Sequence, residues 1–470
     1  MTHAVLDGAA LGELRAAFGG ELLGSGSPRY DEARSVFNAM IDRRPAVIAR
    51  CHGLSDVIAA LRFARERGLP LAIRGGGHSV AGHAVCDGGV VLDLSPMKGV
   101  RVDPDARTAW AQAGLNWGEL DRETQAFGLA VTGGRVPDTG VAGLTLAGGS
   151  GWIERKHGYT CDNLRSVELV TADGRFLVAD RERNPELFWA LRGGGGNFGV
   201  VTAFELDLHE VGPMIYGGML LYPAERGVEL MKAYRDFVAG APDEVGGACA
   251  VLWAPPEDFV PGPARGKPVF GVIACYVGPV EDGERAFAPL REWGPVLEMC
   301  GAIPYAQGLQ RLIEPGNPPG RRQYWKAGFV QELADDAVET FVSQAMDVAS
   351  PMTASILLPL GGAVARVPES ETVLGNRDAG WNFHILSQWE DAAEDERQIG
   401  WTRAFDAAMR PHSLQGVYAN FVSEPPENVL EASFGAEKHA RLRRVKAEYD
   451  PENVFRLNVN IRPGGSSNGR

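Results

Sequence analysis

The stretch Ile73–Gly89, IRGGGHSVAGHAVCDGG, sets the tightest limit on what this chain can become. Glycine at this density removes side chains and lets backbone N–H groups approach whatever the loop encloses. A second stretch of similar character, PDTGVAGLTLAGGSGWIERKHGYTCDN, runs from Pro137 to Asn163. Two separate glycine loops in one domain suit a long ligand with a pyrophosphate at its middle, because backbone donors neutralise phosphate oxygens without lysine. Histidine within the first loop needs its own reason. From the residues alone, His78 reads as a metal ligand with His83 and Cys86, a catalytic base, a buried structural residue, or the anchor of a cofactor. The metal reading is disfavoured, since five-residue histidine spacing is unusual for zinc and no second ligand pair is near.

Regular elements flank the first loop. PAVIARC (Pro45–Cys51) reads as a strand, and Ser55 is the expected N-cap of a helix with Val57, Leu61 and Ala64 on one face. LAIR, the glycine loop and GVVLDL follow, which is the opening of an α+β nucleotide-type domain. Val100–Val102 and Thr108–Ala113 predict a hairpin, Asn116 a helix cap, and VELVTADGRFLVAD a second hairpin turning at Asp173–Gly174. Asn184 and Pro185 open a further helix. From about Val211 the pattern changes to longer strands such as KPVFGVIACYVG and WNFHILSQW, helices such as RGVELMKAYRDFV, and proline-rich loops. That pattern predicts a second domain with an antiparallel sheet covered by helices.

Two domains also suit 470 residues, which are too many for one ordinary core. A net charge of -14 argues against nucleic acid or an anionic membrane as a partner. The N-terminus carries Asp7, Glu13 and Glu21 where a secretion signal would be apolar, and no long apolar run predicts a membrane span. The six cysteines are scattered without C-x-x-C pairs, which suits a reducing cytoplasm.

Several familiar spellings mislead. Gly194-x-Gly196-x-x-Gly199 matches a dinucleotide fingerprint, yet VVTAFELDLH after it reads as a strand where that motif needs a helix. GGSGW at Gly148–Trp152 resembles a nucleophile elbow with Trp152 in place of the required glycine.

RGGGHS, GVAGLTLAGGSGW, GYTCDN, LFWALRGGGGNFGVVT and the closing YDPENVFRLNVNI occur in order, and together the chain resembles a bacterial berberine-bridge-enzyme-like flavoprotein of the vanillyl-alcohol-oxidase superfamily. The resemblance runs from about Tyr30 to Pro463. It implies an α+β fold with a bipartite PCMH-type FAD-binding domain, residues 1–211 completed by 411–470, and a substrate domain at 212–410. It implies FAD joined through two bonds, from His78 and from Cys161. Cofactor contacts are expected from Arg74, Gly75, Gly76, Gly77, Ser79, Gly82, His83, Thr139, Gly140, Val141, Gly143, Gly148, Gly149, Gly151, Trp152, Asn163, Gly199, Val200, Val201, Asn458 and Asn460, with no metal. Val141 is the expected oxygen gate.

The family's usual base is the second tyrosine of Y-x-N-Y, but GVYANFVSE places Phe421 there, which has nothing to titrate. His384, on WNFHILSQW, occupies the slot of the family's glutamate or glutamine and becomes the expected base; Tyr418 is the second candidate. Strand alternation puts Asn382 and His384 on one face and Trp381, Phe383 and Ile385 on the other. The implied activity is an FAD-dependent oxidase taking hydride from an alcohol or natural-product carbon, with O2 as acceptor and H2O2 as product. Absence of the tyrosine and of a secretion signal points to secondary metabolism. Oligosaccharide oxidation, or flavin binding without oxidase chemistry, are the alternatives. Oligomeric state is left open.

Overall fold

The computed structural model describes residues 8–425 and 429–464, so Asp7, one of the acidic residues read against a secretion signal, lies outside the described residues. Three large sheets organise the described residues, beside a two-stranded pair of Leu129–Ala130 with His209–Glu210. The first joins Glu21–Leu23, Val47–Arg50, Val90–Asp93 and Leu71–Arg74 in that order. Its last three strands run parallel, with Val90–Asp93 between the other two. Helix Leu54–Glu66 crosses between parallel strands and buries Val57, Ala60, Leu61 and Ala64. Its cap is Gly53, not Ser55. Asp56 explains the shift: its carboxylate accepts from the N–H groups of His52 at 2.9 Å and Gly19 at 2.7 Å, so the helix starts before the serine.

The second sheet is five-stranded and antiparallel, with Val200–Asp207 at its centre. Gly199 therefore opens a strand, as the apolar pattern predicts. Asn116 caps helix Trp117–Gln125 through a reciprocal capping box with Glu119. Asn184 precedes helix Pro185–Leu191 as predicted, but its backbone is left-handed and its side chain makes no cap bond. The amide donates to Val178 O instead, tying the helix start to the preceding strand.

The third sheet, lying beyond Val211, is antiparallel and includes Met214–Pro223, Pro268–Tyr276, Val245–Trp253, Ala354–Pro359, Trp381–Trp389 and Arg322–Val330 in spatial order. Helices Gly227–Ala239, Val280–Glu292, Asp335–Met346 and Asp395–Met409 supply Tyr234, Phe287, Phe341 and Phe405 to its core. Trp381, Phe383 and Ile385 belong to that core. His384, Leu386 and Gln388 face the opposite way, into a cavity between this sheet and the glycine loops. The alternation read from WNFHILSQW is present.

After helix Ala436–Tyr449 the tail returns to the first half of the chain. Lys446, fully buried, donates to Asp450 Oδ2 at 2.6 Å, to Asn197 O at 2.8 Å and to Phe455 O at 3.0 Å. Asn197 in turn donates to Val459 O and accepts from Ile461 N–H. A buried ion pair this fully hydrogen-bonded fixes the tail against the GGGGN loop. No helix among the described residues is long and apolar enough to cross a membrane.

Candidate active site

One cavity of about 1300 Å³ joins the two halves of the molecule. Ordinary ligand pockets hold roughly 300–1,000 Å³, so this one has room for an extended cofactor and a second molecule. Its first lobe is walled by Gly75–Gly77, Thr139–Gly140, Ala142–Gly143, Gly193–Asn197 and the tail residues Phe455 and Leu457–Val459. The two glycine loops meet backbone to backbone: a Cβ on Gly76 would lie 2.5 Å from Gly140 N. Glycine is required there by contact. At Gly143 and Gly196 a Cβ would meet nothing within 4 Å, because both residues border open cavity. Such a cradle presents backbone donors and little else, which suits a dinucleotide's phosphates.

His78 stands at the wall of this lobe. Its ring stacks on Phe37 at 3.8 Å, and its Nε2 lies 3.3 Å from Asp138 Oδ1 without hydrogen-bond alignment. A buried imidazole nitrogen with no committed partner is free to act as a nucleophile or ligand. His83 also lines the cavity with an unpartnered Nε2; burial, reinforced by Arg43, holds its pKa down to about 4.

The second lobe contains His384. Its ring stacks on Phe421 at 4.1 Å and meets the edge of Trp325 at 5.0 Å. Its Nε2 is buried without a partner, and burial, with Arg135 nearby, holds its pKa well below the ordinary histidine value. Arg135 is itself held by Ser150 Oγ at 3.0 Å, Gly151 O at 3.1 Å and Glu154 Oε1 at 2.9 Å.

Of the remaining expected residues, Ser79, Thr139, Gly140, Gly143, Trp152, Gly199, Val201 and Asn458 border the cavity. Others do not, and each has a physical reason. Cys161 is fully buried in the hydrophobic core; its backbone N–H donates to Gly148 O, and burial pushes its thiol pKa far up. It does not border the cavity, and its burial disfavours the thiolate. Val141 faces the core of the same cluster, so the cavity side of that segment is Thr139, Gly140, Ala142 and Gly143. Tyr418 is structural: its hydroxyl accepts from Gly149 N–H at 2.7 Å and Ser150 N–H at 3.0 Å.

Gly148, Gly149 and Gly151 form the turn behind the wall; a Cβ on Gly151 would lie 2.2 Å from Gly133 O. Gly82 packs against Ile41, and Val200 is core. Arg74 donates to Ala33 O and Ser35 O, and Asn163 to His157 O and Tyr159 O, so both brace loops. Asn460 does not border the cavity. Sequence reasoning missed Gly193–Asn197, Arg135, Val136 and Phe37, which do. The run GGGGN is the signal that could have found the first of these, masked by its failure as a Rossmann spelling.

Comparison with known proteins agrees with this arrangement. The family model described as an FAD binding domain matches residues 45–180, and the one described as berberine and berberine like matches residues 417–462. (R)-6-hydroxynicotine oxidase of Paenarthrobacter nicotinovorans is 31% identical, covering 95% of this chain and 97% of its own. An FAD-linked oxidoreductase of Dictyostelium discoideum is also 31% identical, over 93% of each. The solved structure of 6-hydroxy-D-nicotine oxidase from Arthrobacter nicotinovorans superposes with a TM-score of 0.85 at 28% identity, covering 95% of this chain and 98% of its own. With the glycine cradle, the returning tail and these relatives in agreement, the chain belongs to the berberine-bridge-like FAD-linked oxidoreductases and is an FAD-dependent oxidoreductase.

Proposed function

We propose that the protein is an oxidase that takes hydride from an uncharged organic alcohol and passes the electrons to O2, yielding H2O2, with FAD attached by a single bond at His78. The observation that carries this reading is the shared cavity, in which His78 and His384, each with a buried Nε2 that makes no hydrogen bond, stand in separate lobes. Gly75–Gly77, Gly140, Gly143 and Gly193–Gly196 would hold the cofactor, and FAD when bound supplies the hydride acceptor.

His384 does the proton work. Its depressed pKa keeps the ring neutral at ordinary pH, and in the tautomer protonated at Nδ1 the unpartnered Nε2 accepts from a substrate hydroxyl. Such an imidazole is a weak base. That suits a proton transfer accompanying hydride loss, when the forming carbonyl no longer retains its proton. Phe421 and Trp325 fix the ring plane and exclude water from it. Within residues 138–143 the cavity meets only Thr139, Gly140, Ala142 and Gly143, none larger than threonine, which supports access by oxygen.

The experiment is anaerobic reduction of the yellow holoenzyme by candidate alcohols, followed by mixing with aerated buffer. The expected result is bleaching, then reoxidation far faster than that of free reduced flavin, with peroxide formed. Reoxidation no faster than free flavin would replace oxidase by dehydrogenase.

A further inference from the structure

We infer that the substrate is a rigid, uncharged multi-ring alcohol, and that Ala250 sets the space available to it; this rests on the oxidoreductase reading above. The second lobe is floored by one face of the third sheet. Across that face His384 pairs in register with Ile356, Ile356 with Ala250, and Ala250 with Gly271. Three strand spacings of roughly 4.8 Å make this row about 14 Å long. Side chains shrink along it from isoleucine to alanine to nothing, so the floor falls away from His384. At Gly271 the Leu252 side chain reaches over the bare backbone, its Cδ2 2.9 Å from where a Cβ would stand. Leu386 and Ile273 continue the apolar lining on either side of the row.

Polar groups near this floor are largely committed to one another. Gln388 donates to Asn317 Oδ1 at 3.2 Å through its amide and to Thr353 Oγ1 at 3.2 Å through its backbone, and it accepts from Gln323. Among the described residues, the buried polar atoms without a partner beside this floor are His384 Nε2, Arg135 Nε and the indole N–H groups of Trp253, which ends the strand bearing Ala250, and Trp152, which packs with Ile273 and Ile356. An oligosaccharide would bring several hydroxyls per ring to a surface that offers them too few partners. A flexible alkyl alcohol would match the polarity but lose much conformational freedom on so broad a floor, whereas fused rings lose little. A multi-ring molecule with one hydroxyl at His384 and a few acceptors toward the indoles and Arg135 matches these free groups.

Equilibrium dialysis of the flavin-loaded protein tests this with three probes: hydroxymethylanthraquinone, cellotetraose and decanol. The expected result is anthraquinone binding at least about 100-fold tighter than either other probe. Ala250→Phe and the smaller intrusion Ala250→Leu should each weaken it by about 10-fold or more, with flavin content and its visible spectrum unchanged. Equal or tighter binding of cellotetraose or decanol would overturn the substrate class. Undiminished anthraquinone binding in the flavin-loaded Ala250→Leu protein would overturn the assignment of the floor. Absence of flavin from the wild-type protein would instead defeat the oxidoreductase reading, a result separate from either.

Discussion

At the residue scale the proposal gives His78 and His384 different roles, and their environments are what separate them. His384→Ala should slow anaerobic flavin reduction by roughly 10²–10⁴-fold, the usual contribution of a positioned base, while flavin content stays at the wild-type level. Stopped-flow absorbance reads both. The pH dependence follows from the sign of the shift. Burial lowers the His384 pKa, so the ring stays neutral as pH falls below about 6.5, the ordinary histidine value. The wild-type rate should therefore stay level through that value. A decline with its midpoint near 6.5 would assign proton transfer to a solvent-exposed group. The position of His384 was legible because a strand's alternation fixes which side chains share a face. Its pKa was not, because the depression comes from burial beneath Phe421 and from Arg135, both remote in sequence.

At the scale of elements, what the sequence could not show is how distant segments brace the glycine loops. Tyr418 reads from its motif as a second candidate base, yet it binds two backbone N–H groups of the Gly148–Gly151 turn. Tyr418→Phe leaves those buried donors unpaired and should cost about 1–3 kcal/mol in denaturant unfolding, with flavin reduction changed only a few-fold. A rate loss of the size expected for His384→Ala would restore it as a base. The tail latch contributes more to stability. Lys446→Met strands the Asp450 carboxylate in a fully buried site, and unfolding should show a loss of about 3–5 kcal/mol. Local signals such as the Asn116 capping box were legible because both partners lie within one turn. The Lys446 contact to Asn197 spans much of the chain, and the residues of YDPENVF give no hint of its target.

On the scale of the whole molecule, three sheets and a returning tail produce one cavity with a glycine-walled lobe and an apolar lobe. Element types were readable from periodicity and turn residues, since these reflect local backbone preference and burial. Which side of a loop faces the cavity was not. Cys161 and Val141 sit in glycine-rich stretches that do reach the wall, yet packing turns both into the core. That distinction separates one flavin bond from two. Peptide mass mapping of the acid-precipitated protein measures it directly. The account predicts that colour stays with the precipitate and that flavin mass appears on the peptide containing His78 alone. Flavin on the Cys161 peptide, or complete release of flavin into the acid supernatant, would contradict it.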